Sequence, residues 1–369
     1  MEYKVRFVNY PKQYQNMKTE LDTAVTEILS HGDFILRSHV KDFEKNMAEF
    51  LGVKYTIGVN NGTDAIFFSL LASGIGKGDE VITPAHTFVA TVAGIVHCGA
   101  KPILIDIGND MNMDVNQLER LITPKTKAIM PVHLNGRLCE MEKLMKIAEK
   151  HDLIVIEDAA QGLGATYKGK KGGSFGLAGC FSFYPAKILG TAGDGGLVST
   201  NDKAFADKIY SLRDNGRIIG SDEINGYGYN SRLDNLHAAM LNVKFKYLQP
   251  WITRRREIAQ RYQEGLSDIP ELQLPPSPNA KGPFFDVFQN YVIRSKKRDE
   301  LANFLRSSGV EIIISWPVPL NKQKNLGLEH FHLPMTEQVS KEVISLPLYP
   351  ELEDEKVDFV IKVLHDFHD

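Results

Sequence analysis

Residues 153–161 read LIVIEDAAQ, a short apolar run that ends in Glu157, Asp158 and Gln161. A run that is apolar at successive positions is buried on both faces, which is typical of a parallel β-strand covered by helices. In open α/β sheets, ligands bind at the carboxyl ends of such strands. The polar residues are therefore candidates for chemistry, although a solvated carboxylate at a strand end would give the same pattern.

Similar runs recur on both sides of this stretch, separated by segments with helical spacing such as residues 140–152. The other predicted strands are TIGVN (56–60), EVITP (80–84), KPILIDI (101–107), AIMPVH (128–133), CFSFY (180–184) and GLVST (196–200). Strands that alternate with helices predict an α/β fold. We expect a mostly parallel central sheet of about seven strands.

The pattern changes near Trp251, where a basic amphipathic stretch leads into the Pro-rich segment LPPSPNAKGP (274–283). Such a change of composition indicates a domain boundary. We expect a large domain over residues 1–250 and a smaller α+β domain over residues 251–369. The small domain is predicted to contain strands at 289–295 and 310–316, a helix at 297–309 and a closing helix after 348–356.

Composition and charge exclude several classes of protein. The 369 residues are 43% hydrophobic and 24% charged, with a formal net charge of -3, so neither disorder nor a general attraction to nucleic acid is indicated. The three cysteines form no C-x-x-C pair, which argues against disulfide frameworks and zinc ribbons. No stretch approaches the ~18 apolar residues of a membrane helix. We expect a soluble cytoplasmic protein without a metal site.

Two further candidates lie where predicted strands end. Lys187, in CFSFYPAKILGTAGDGG (180–196), follows a strand and precedes a Gly-rich turn, where partial burial would lower its pKa and favour a nucleophilic or proton-carrying role. An ordinary surface amine is the alternative. Phe88, in TPAHTFVAT (83–91), could lie against a planar cofactor or simply belong to the core.

The segment VNNGTDAIFFSLL (59–71) runs from a strand into an apolar helix. Free backbone N–H groups at such a helix start suit a phosphate, whereas plain capping by Thr63 or Asp64 would explain the same residues. The segment lacks the full fingerprints for NTP or dinucleotide binding. A phosphate cradle, an aromatic ring, an acid and a lysine on one edge are together what a pyridoxal phosphate site requires.

The motifs NGTDA, PAHTFVAT, EDAAQGLGATYKGKKGG, GCFSFYPAKILGTAGDGG, GYNSRLDNLHAAML and SLPLYPEL, over about residues 30–350, resemble those of the DegT-type nucleotide-sugar aminotransferases. The resemblance implies a fold-type I, aspartate-aminotransferase-like protein that uses pyridoxal 5'-phosphate. It also implies a homodimer with shared active sites.

The resemblance assigns roles residue by residue. Lys187 matches the lysine that forms an imine with the cofactor, and Asp158 matches the partner of the pyridine nitrogen. The other implied cofactor contacts are Gln161 at the ring hydroxyl, Phe88 as the stacking ring, Gly62, Thr63 and Ser182 at the phosphate, and Asn230 from the neighbouring subunit.

The implied substrates are a UDP- or dTDP-linked keto-sugar and glutamate. Relatives often carry histidines where this chain has Ser315 and Asn321, beside Trp316, and these three residues are the candidates for sugar contact. Two alternatives stay open: a pyridoxal phosphate-dependent sugar dehydratase, against which Lys187 argues, and a catalytically silent regulatory protein of the same fold.

Overall fold

The computed structural model describes residues 3–368 as alternating strands and helices. The strands are β1 (Tyr55–Val59), β2 (Glu80–Pro84), β3 (Lys101–Ile105), β4 (Thr126–Ile129), β5 (Ile154–Asp158), β6 (Thr166–Tyr167), β7 (Lys170–Lys171), β8 (Ala178–Ser182), β9 (Gly196–Thr200), β10 (Leu272–Gln273), β11 (Phe284–Phe285), β12 (Tyr291–Ser295) and β13 (Val343–Leu346).

The helices are α1 (Tyr10–His31), α2 (Ser38–Leu51), α3 (Gly62–Ala72), α4 (Val89–His97), α5 (Met141–Lys150), α6 (Lys203–Arg213), α7 (Asn235–Phe245), α8 (Leu248–Leu266), α9 (Arg298–Ser307), α10 (Pro334–Glu342) and α11 (Asp354–His368). Within residues 3–368, none of them combines the length and the apolar composition that a membrane crossing needs.

Seven strands form the large sheet in the order β1-β9-β8-β5-β4-β2-β3. The pairs from β8 to β3 are parallel, whereas β9 runs antiparallel to both of its neighbours. The mostly parallel seven-stranded sheet predicted from the sequence is therefore confirmed. All strands except β9 end at the same edge, which collects the loops that follow β1, β2, β4, β5 and β8.

Helices cover both faces of this sheet, as the apolar strands require. On one face, α3, α4 and α6 bury residues such as Phe68, Ile95 and Ile209 against the strands. On the other face, α1, α2, α5 and α7 contribute a second core that includes Phe43 and Leu144.

A smaller three-stranded antiparallel sheet, β10-β12-β13, forms the C-terminal core with α9 and α11. Helix α8 crosses the predicted boundary at residue 250 without a break. Trp251 and Ile252 pack in the large-domain core, while Ile258 and Tyr262 pack in the small one. A single helix therefore belongs to both domains.

The first described residues also depart from the predicted division. Val5 is buried in the C-terminal core and forms a parallel bridge with Val310. The N-terminal segment, which we assigned to residues 1–250, thus packs on the small domain.

The predicted strand at 310–316 is wrong. The segment forms only isolated bridges, Val5 with Val310 and Ile313 with Ser345. Ile313 is 44% exposed and Trp316 has a φ of 50°. The left-handed backbone at Trp316 ends the extended run, because it cannot continue a β-ladder.

Candidate active site

Asp158 is the last residue of β5 and lies at the shared edge of the sheet. It is 5% exposed. Thr91 Oγ1 donates to its Oδ2 at 2.7 Å, and the Ala160 backbone N–H donates to its Oδ1 at 3.2 Å. Thr91 lies on α4, whose preceding residue is Phe88, so the carboxylate is linked to the segment that carries the aromatic ring.

The neighbouring acid, Glu157, faces the other side of the sheet and is completely buried. Its two oxygens accept backbone N–H groups of Gly173, Phe175 and Gly176 at 2.7–2.9 Å. The Nε2 atom of His133 lies 2.9 Å from Glu157 Oε2. Glu157 therefore stabilises the loop before β8. Of the two acids, only Asp158 is placed at the shared edge of the sheet.

Lys187 lies in a tight turn after β8. Its backbone N–H donates to Tyr184 O at 2.9 Å, and Thr191 N–H donates to Phe183 O at 2.8 Å. A Cβ at Gly190 would lie 2.6 Å from two backbone oxygens, so only glycine allows the turn to close this tightly. Burial lowers the pKa of the Lys187 ammonium, and the negative charge of Asp158 opposes that shift. Because β8 pairs with β5, the turn of Lys187 begins beside the strand that ends in Asp158.

The start of α3 meets the end of β8. A Cβ at Gly62 would lie only 2.8 Å from Ser182 Cβ, so glycine brings the helix N-terminus directly against the serine. Asn61 caps the helix by accepting Asp64 N–H at 2.8 Å. Gly62, Thr63 and Ser182 are thereby assembled where the free N–H groups of a helix N-terminus can bind an anion.

Phe88 is 59% exposed although it follows a completely buried strand. It occupies the N-cap position of α4 with an extended backbone. An exposed aromatic side chain at the start of the helix that contacts Asp158 through Thr91 is available to cover a flat ligand.

Gln161 is tied to the loop after β4. Its Oε1 accepts the Asn135 backbone N–H at 2.8 Å, and Asn290 Nδ2 donates to Asn135 Oδ1 at 3.2 Å. Asn135 has a φ of 56°, a conformation that asparagine tolerates well. This chain of amides leaves the Gln161 NH₂ group as a donor.

Asn230 closes the Gly-rich loop 215–231 and is exposed. Its Oδ1 accepts from Arg232 at 2.7 Å. The next residue, Ser231, donates to Asp64 Oδ2 at 2.7 Å and so ties the base of the loop to the first turn of α3.

The three candidates for sugar contact occupy different surroundings. Ser315 and Trp316 are half-buried. The Trp316 indole packs edge-to-face with the His86 ring, and the two ring centroids are 5.3 Å apart. Asn321 is completely buried, with Nδ2 donating to Phe331 O and Glu337 Oε1 at 3.1 and 2.9 Å. Its contacts fold its own loop, so any effect on a sugar would pass through that loop.

Thr91 was missed by the sequence reasoning, although a signal was present. Thr91 lies in the first turn of an apolar helix and Thr87 directly precedes its N-cap, and their hydroxyl oxygens lie 2.8 Å apart. Two buried hydroxyls beside an apolar helix need a polar partner, and Asp158 accepts from Thr91.

The residues present fit pyridoxal phosphate. The glycine-dependent approach of Gly62 to Ser182 leaves backbone N–H groups for a phosphate, and Phe88 offers an exposed ring face. Asp158 suits a pyridinium nitrogen, and burial brings the Lys187 amine nearer to its neutral form. Fold and site therefore define a fold-type I enzyme dependent on pyridoxal phosphate.

Comparison with known proteins specifies the family. Residues 15–365 match the DegT/DnrJ/EryC1/StrS aminotransferase family, and the chain belongs to it. It is 41% identical to a "pleiotropic regulatory protein" of Geobacillus stearothermophilus, over 99% of this chain and 98% of that protein. It is 36% identical to the UDP-2-acetamido-2-deoxy-3-oxo-D-glucuronate aminotransferase of Pseudomonas aeruginosa, over 98% and 99% of the two chains.

The solved structures include a similar one. The crystal structure of S. venezuelae DesV in complex with a ketimine intermediate aligns with a TM-score of 0.95 and 34% identity. The alignment covers 100% of this chain and 99% of that one. Fold and family thus agree on a pyridoxal phosphate-dependent aminotransferase.

Proposed function

We propose that the protein transfers the amino group of glutamate to a nucleotide-linked keto-sugar, with UDP or dTDP as the nucleotide. The observation that carries the proposal is the shared sheet edge that fits pyridoxal phosphate, where the glycine-dependent turn of Lys187 follows β8 and Asp158 ends the neighbouring strand β5. The relative from Pseudomonas aeruginosa is named for a UDP-linked 3-oxo sugar, which supports a sugar of this class.

Each residue has a defined task in this proposal. When bound, pyridoxal phosphate supplies a carbonyl carbon that takes up an amino group and a ring that withdraws electrons. Lys187 Nζ acts as the nucleophile and then carries a proton, which requires the neutral amine that burial favours. Asp158, oriented by Thr91 and Ala160, accepts a hydrogen bond from the ring nitrogen.

The remaining contacts are positioning groups. Gly62, Thr63 and Ser182 hold the phosphate at the start of α3, and Phe88 stacks on the ring. The NH₂ group of Gln161 is available to the ring hydroxyl, because Asn135 N–H already occupies its Oε1.

We place the sugar between this edge and the segment 315–321. Trp316 supports the placement, because its indole packs against His86, two residues before Phe88. Ser315 offers a hydroxyl to neutral sugar groups. Asn321 shapes the loop from within through its bonds to Phe331 and Glu337.

We also propose a cytoplasmic homodimer with shared sites that supplies amino-sugars for polysaccharides. The loop 215–231 supports the dimer, because it exposes Ile218, Ile219 and Ile224 while presenting Asn230 at its base. The free thiols of Cys139 and Cys180 are compatible with a reducing compartment.

A substrate screen tests the proposal. Purified protein is given glutamate and a panel of UDP- and dTDP-linked 3-keto and 4-keto sugars, with amino-sugar products followed by mass spectrometry. We expect a UDP- or dTDP-linked 3-keto sugar to be aminated, and Lys187→Ala to form no product. Borohydride reduction in the presence of cofactor should label the peptide that contains Lys187.

Two results would contradict the proposal. Labelling of a different lysine would remove Lys187 from its role. A second result would favour the catalytically silent alternative: an intact, cofactor-loaded protein that forms no 2-oxoglutarate from glutamate and aminates none of the sugars.

A further inference from the structure

The turn that carries Lys187 is held by a side chain from another part of the chain. Gln289 lies just before β12, and its Oε1 accepts the Ile188 backbone N–H at 2.9 Å. Its Nε2 donates to Ala186 O at 2.8 Å. One primary amide thus bonds the peptide groups on both sides of the lysine.

Gln289 is itself firmly placed. It is 8% exposed, and its backbone carbonyl accepts Arg255 Nη1 at 3.3 Å. The same Arg255 nitrogen donates to Phe288 O and Leu348 O at 3.1 and 3.0 Å. A buried guanidinium that serves three carbonyls fixes the backbone from which the Gln289 side chain extends.

The opposite side of this backbone is also closed. A Cβ at Gly136 would lie 2.6 Å from Gln289 N and 2.7 Å from Phe288 N, so the two segments pack directly on each other. Val287 N–H donates to Gly136 O at 2.9 Å. Gln289 therefore has little freedom to follow a displaced turn.

The far end of the turn has a separate support. Lys244 Nζ donates to Gly190 O at 2.7 Å, which holds the turn where it rejoins the sheet edge. This contact lies three residues beyond Lys187 and does not involve its flanking peptides. The direction in which the lysine leaves the backbone thus depends on the Gln289 amide.

We propose that Gln289 is a positioning residue for Lys187: it holds the two flanking peptides and so fixes the direction in which the lysine side chain leaves the turn. The inference rests on the proposed function for the role of Lys187 in the reaction. The geometric part, that Gln289 sets the surroundings of the lysine, is independent of any substrate.

The test uses two variants of the full-length protein. Gln289→Met keeps the shape of the side chain and removes both hydrogen bonds, whereas Gln289→Asn keeps the amide but shortens its reach. The first readout is the pH midpoint of Lys187 acetylation by acetic anhydride without cofactor, measured by mass spectrometry of its peptide. We expect both variants to raise this midpoint by about half a pH unit or more, because a loosened turn admits water to the ammonium.

The second readout is kinetic. With cofactor, glutamate and the best sugar from the screen, kcat should fall by about tenfold or more, while both KM values change less than about twofold. Gln260→Met is the matched control, because it also loses an amide hydrogen bond, to Glu264 Oε1 on the same helix as Arg255. It should leave the midpoint and kcat unchanged.

An unchanged acetylation midpoint in a folded Gln289 variant would overturn the proposal, even if its unfolding temperature is lower. If Gln289→Met fails to fold, the result for Gln289→Asn decides. Failure of the proposed function would instead appear in the wild-type protein, as absent turnover or as borohydride labelling away from Lys187, and would leave the midpoint comparison valid.

Discussion

Two adjacent carboxylates at the end of β5 differ completely in their surroundings. Asp158 accepts one hydroxyl and one backbone N–H at the edge of the sheet, whereas Glu157 accepts three backbone N–H groups on the buried side. Because successive residues of a strand point to opposite faces, neighbouring acids acquire different tasks. Glu157 supports the fold of the loop before β8, and Asp158 is the acid to which we assign the cofactor nitrogen.

Asp158→Asn should reduce kcat by about a hundredfold or more, because an amide provides no negative charge for a pyridinium nitrogen. Cofactor should still bind, since the phosphate contacts at α3 are unchanged. The measurement is kcat at saturating pyridoxal phosphate, together with a cofactor titration. Thr91→Val removes only one hydrogen bond to Asp158, so its kcat should fall much less. Near-normal turnover of Asp158→Asn would contradict the assigned role.

Glu157→Gln should destabilise the fold by about 2–4 kcal/mol, because the new NH₂ group faces backbone donors that then lack an acceptor. The measurement is urea unfolding at neutral pH. Turnover well below the unfolding midpoint should change little. A stability equal to wild type would show that the loop 173–176 does not depend on the carboxylate.

His86 should make stability depend on pH. Burial, with a smaller effect of Arg294, lowers its pKa from 6.5 to about 4. Between these values the unfolded chain binds a proton that the folded chain does not, so stability is lost as the pH falls through this window, by about 3 kcal/mol in full. Arg294 is paired with Glu342, and Ser340 lies 3.4 Å from His86 Nδ1.

The check is unfolding by urea at several values from about pH 7 to about pH 4.5. His86→Gln should flatten the fall in stability over this range, whereas replacement of the exposed His31 by Gln should not. Parallel curves for wild type and His86→Gln would rule out this source of acid sensitivity.

At the scale of elements, the approach of α3 to β8 forms the phosphate cradle that we propose. Gly62→Ala should weaken cofactor binding by about tenfold, or about 1.4 kcal/mol, because its Cβ would collide with Ser182 and move the helix N-terminus. The measurement is a fluorescence titration with pyridoxal phosphate. Ser73→Ala, just beyond the other end of α3, is the control. Equal affinities of wild type, Gly62→Ala and Ser73→Ala for pyridoxal phosphate would contradict a phosphate site at the start of α3.

The sequence predicted the elements of the large sheet because apolar runs covered on both faces carry a strong local signal. It failed for residues 310–316, where β-branched residues suggested a strand but the left-handed Trp316 and the lack of a full partner strand prevent one. The basic amphipathic stretch near Trp251 also gave no sign that Arg255 is buried against three carbonyls. Whether a segment pairs as a strand or a charged side chain is buried depends on partners that are distant in sequence.

The same limit applies to the site. The positions of Lys187, Asp158 and the start of α3 at the sheet edge could be predicted, because each follows directly from a strand end and a motif, and their roles stay predictions. Gln289 could not, because 101 residues separate its Oε1 from the Ile188 N–H that it accepts, and no local pattern indicates the pair. Contacts of this kind depend on how the small domain docks on the large one.

Over the whole molecule, the two domains are joined through charged and polar anchors as well as through α8. Asp106 follows β3 in the large domain and accepts the N–H groups of Met335 and Thr336 at 2.9 and 2.8 Å. It thereby caps α10 of the small domain from outside. Asp106 thus ties α10 to the edge of the large sheet.

Within residues 3–368, no comparable anchor holds the tip of the loop 215–231. Tyr227 is fully exposed at 104%, and Ile219 and Ile224 are 62% and 69% exposed. Apolar side chains clustered on an exposed loop are typical of an interaction surface. The proposed dimer would bury them and bring Asn230 to the partner's cofactor phosphate.

Mixing two inactive chains tests this arrangement. Lys187→Ala and Asn230→Ala each damage a different part of a shared site, so a hybrid dimer should contain one site with both residues intact. Co-refolded or subunit-exchanged mixtures should regain up to about a quarter of wild-type activity, because half of the dimers are hybrids and each has one working site. Exchange is verified with chains of different mass by native mass spectrometry. Proven exchange without recovered activity would show that Asn230 serves the site of its own chain, and the exposed loop would then need a different explanation.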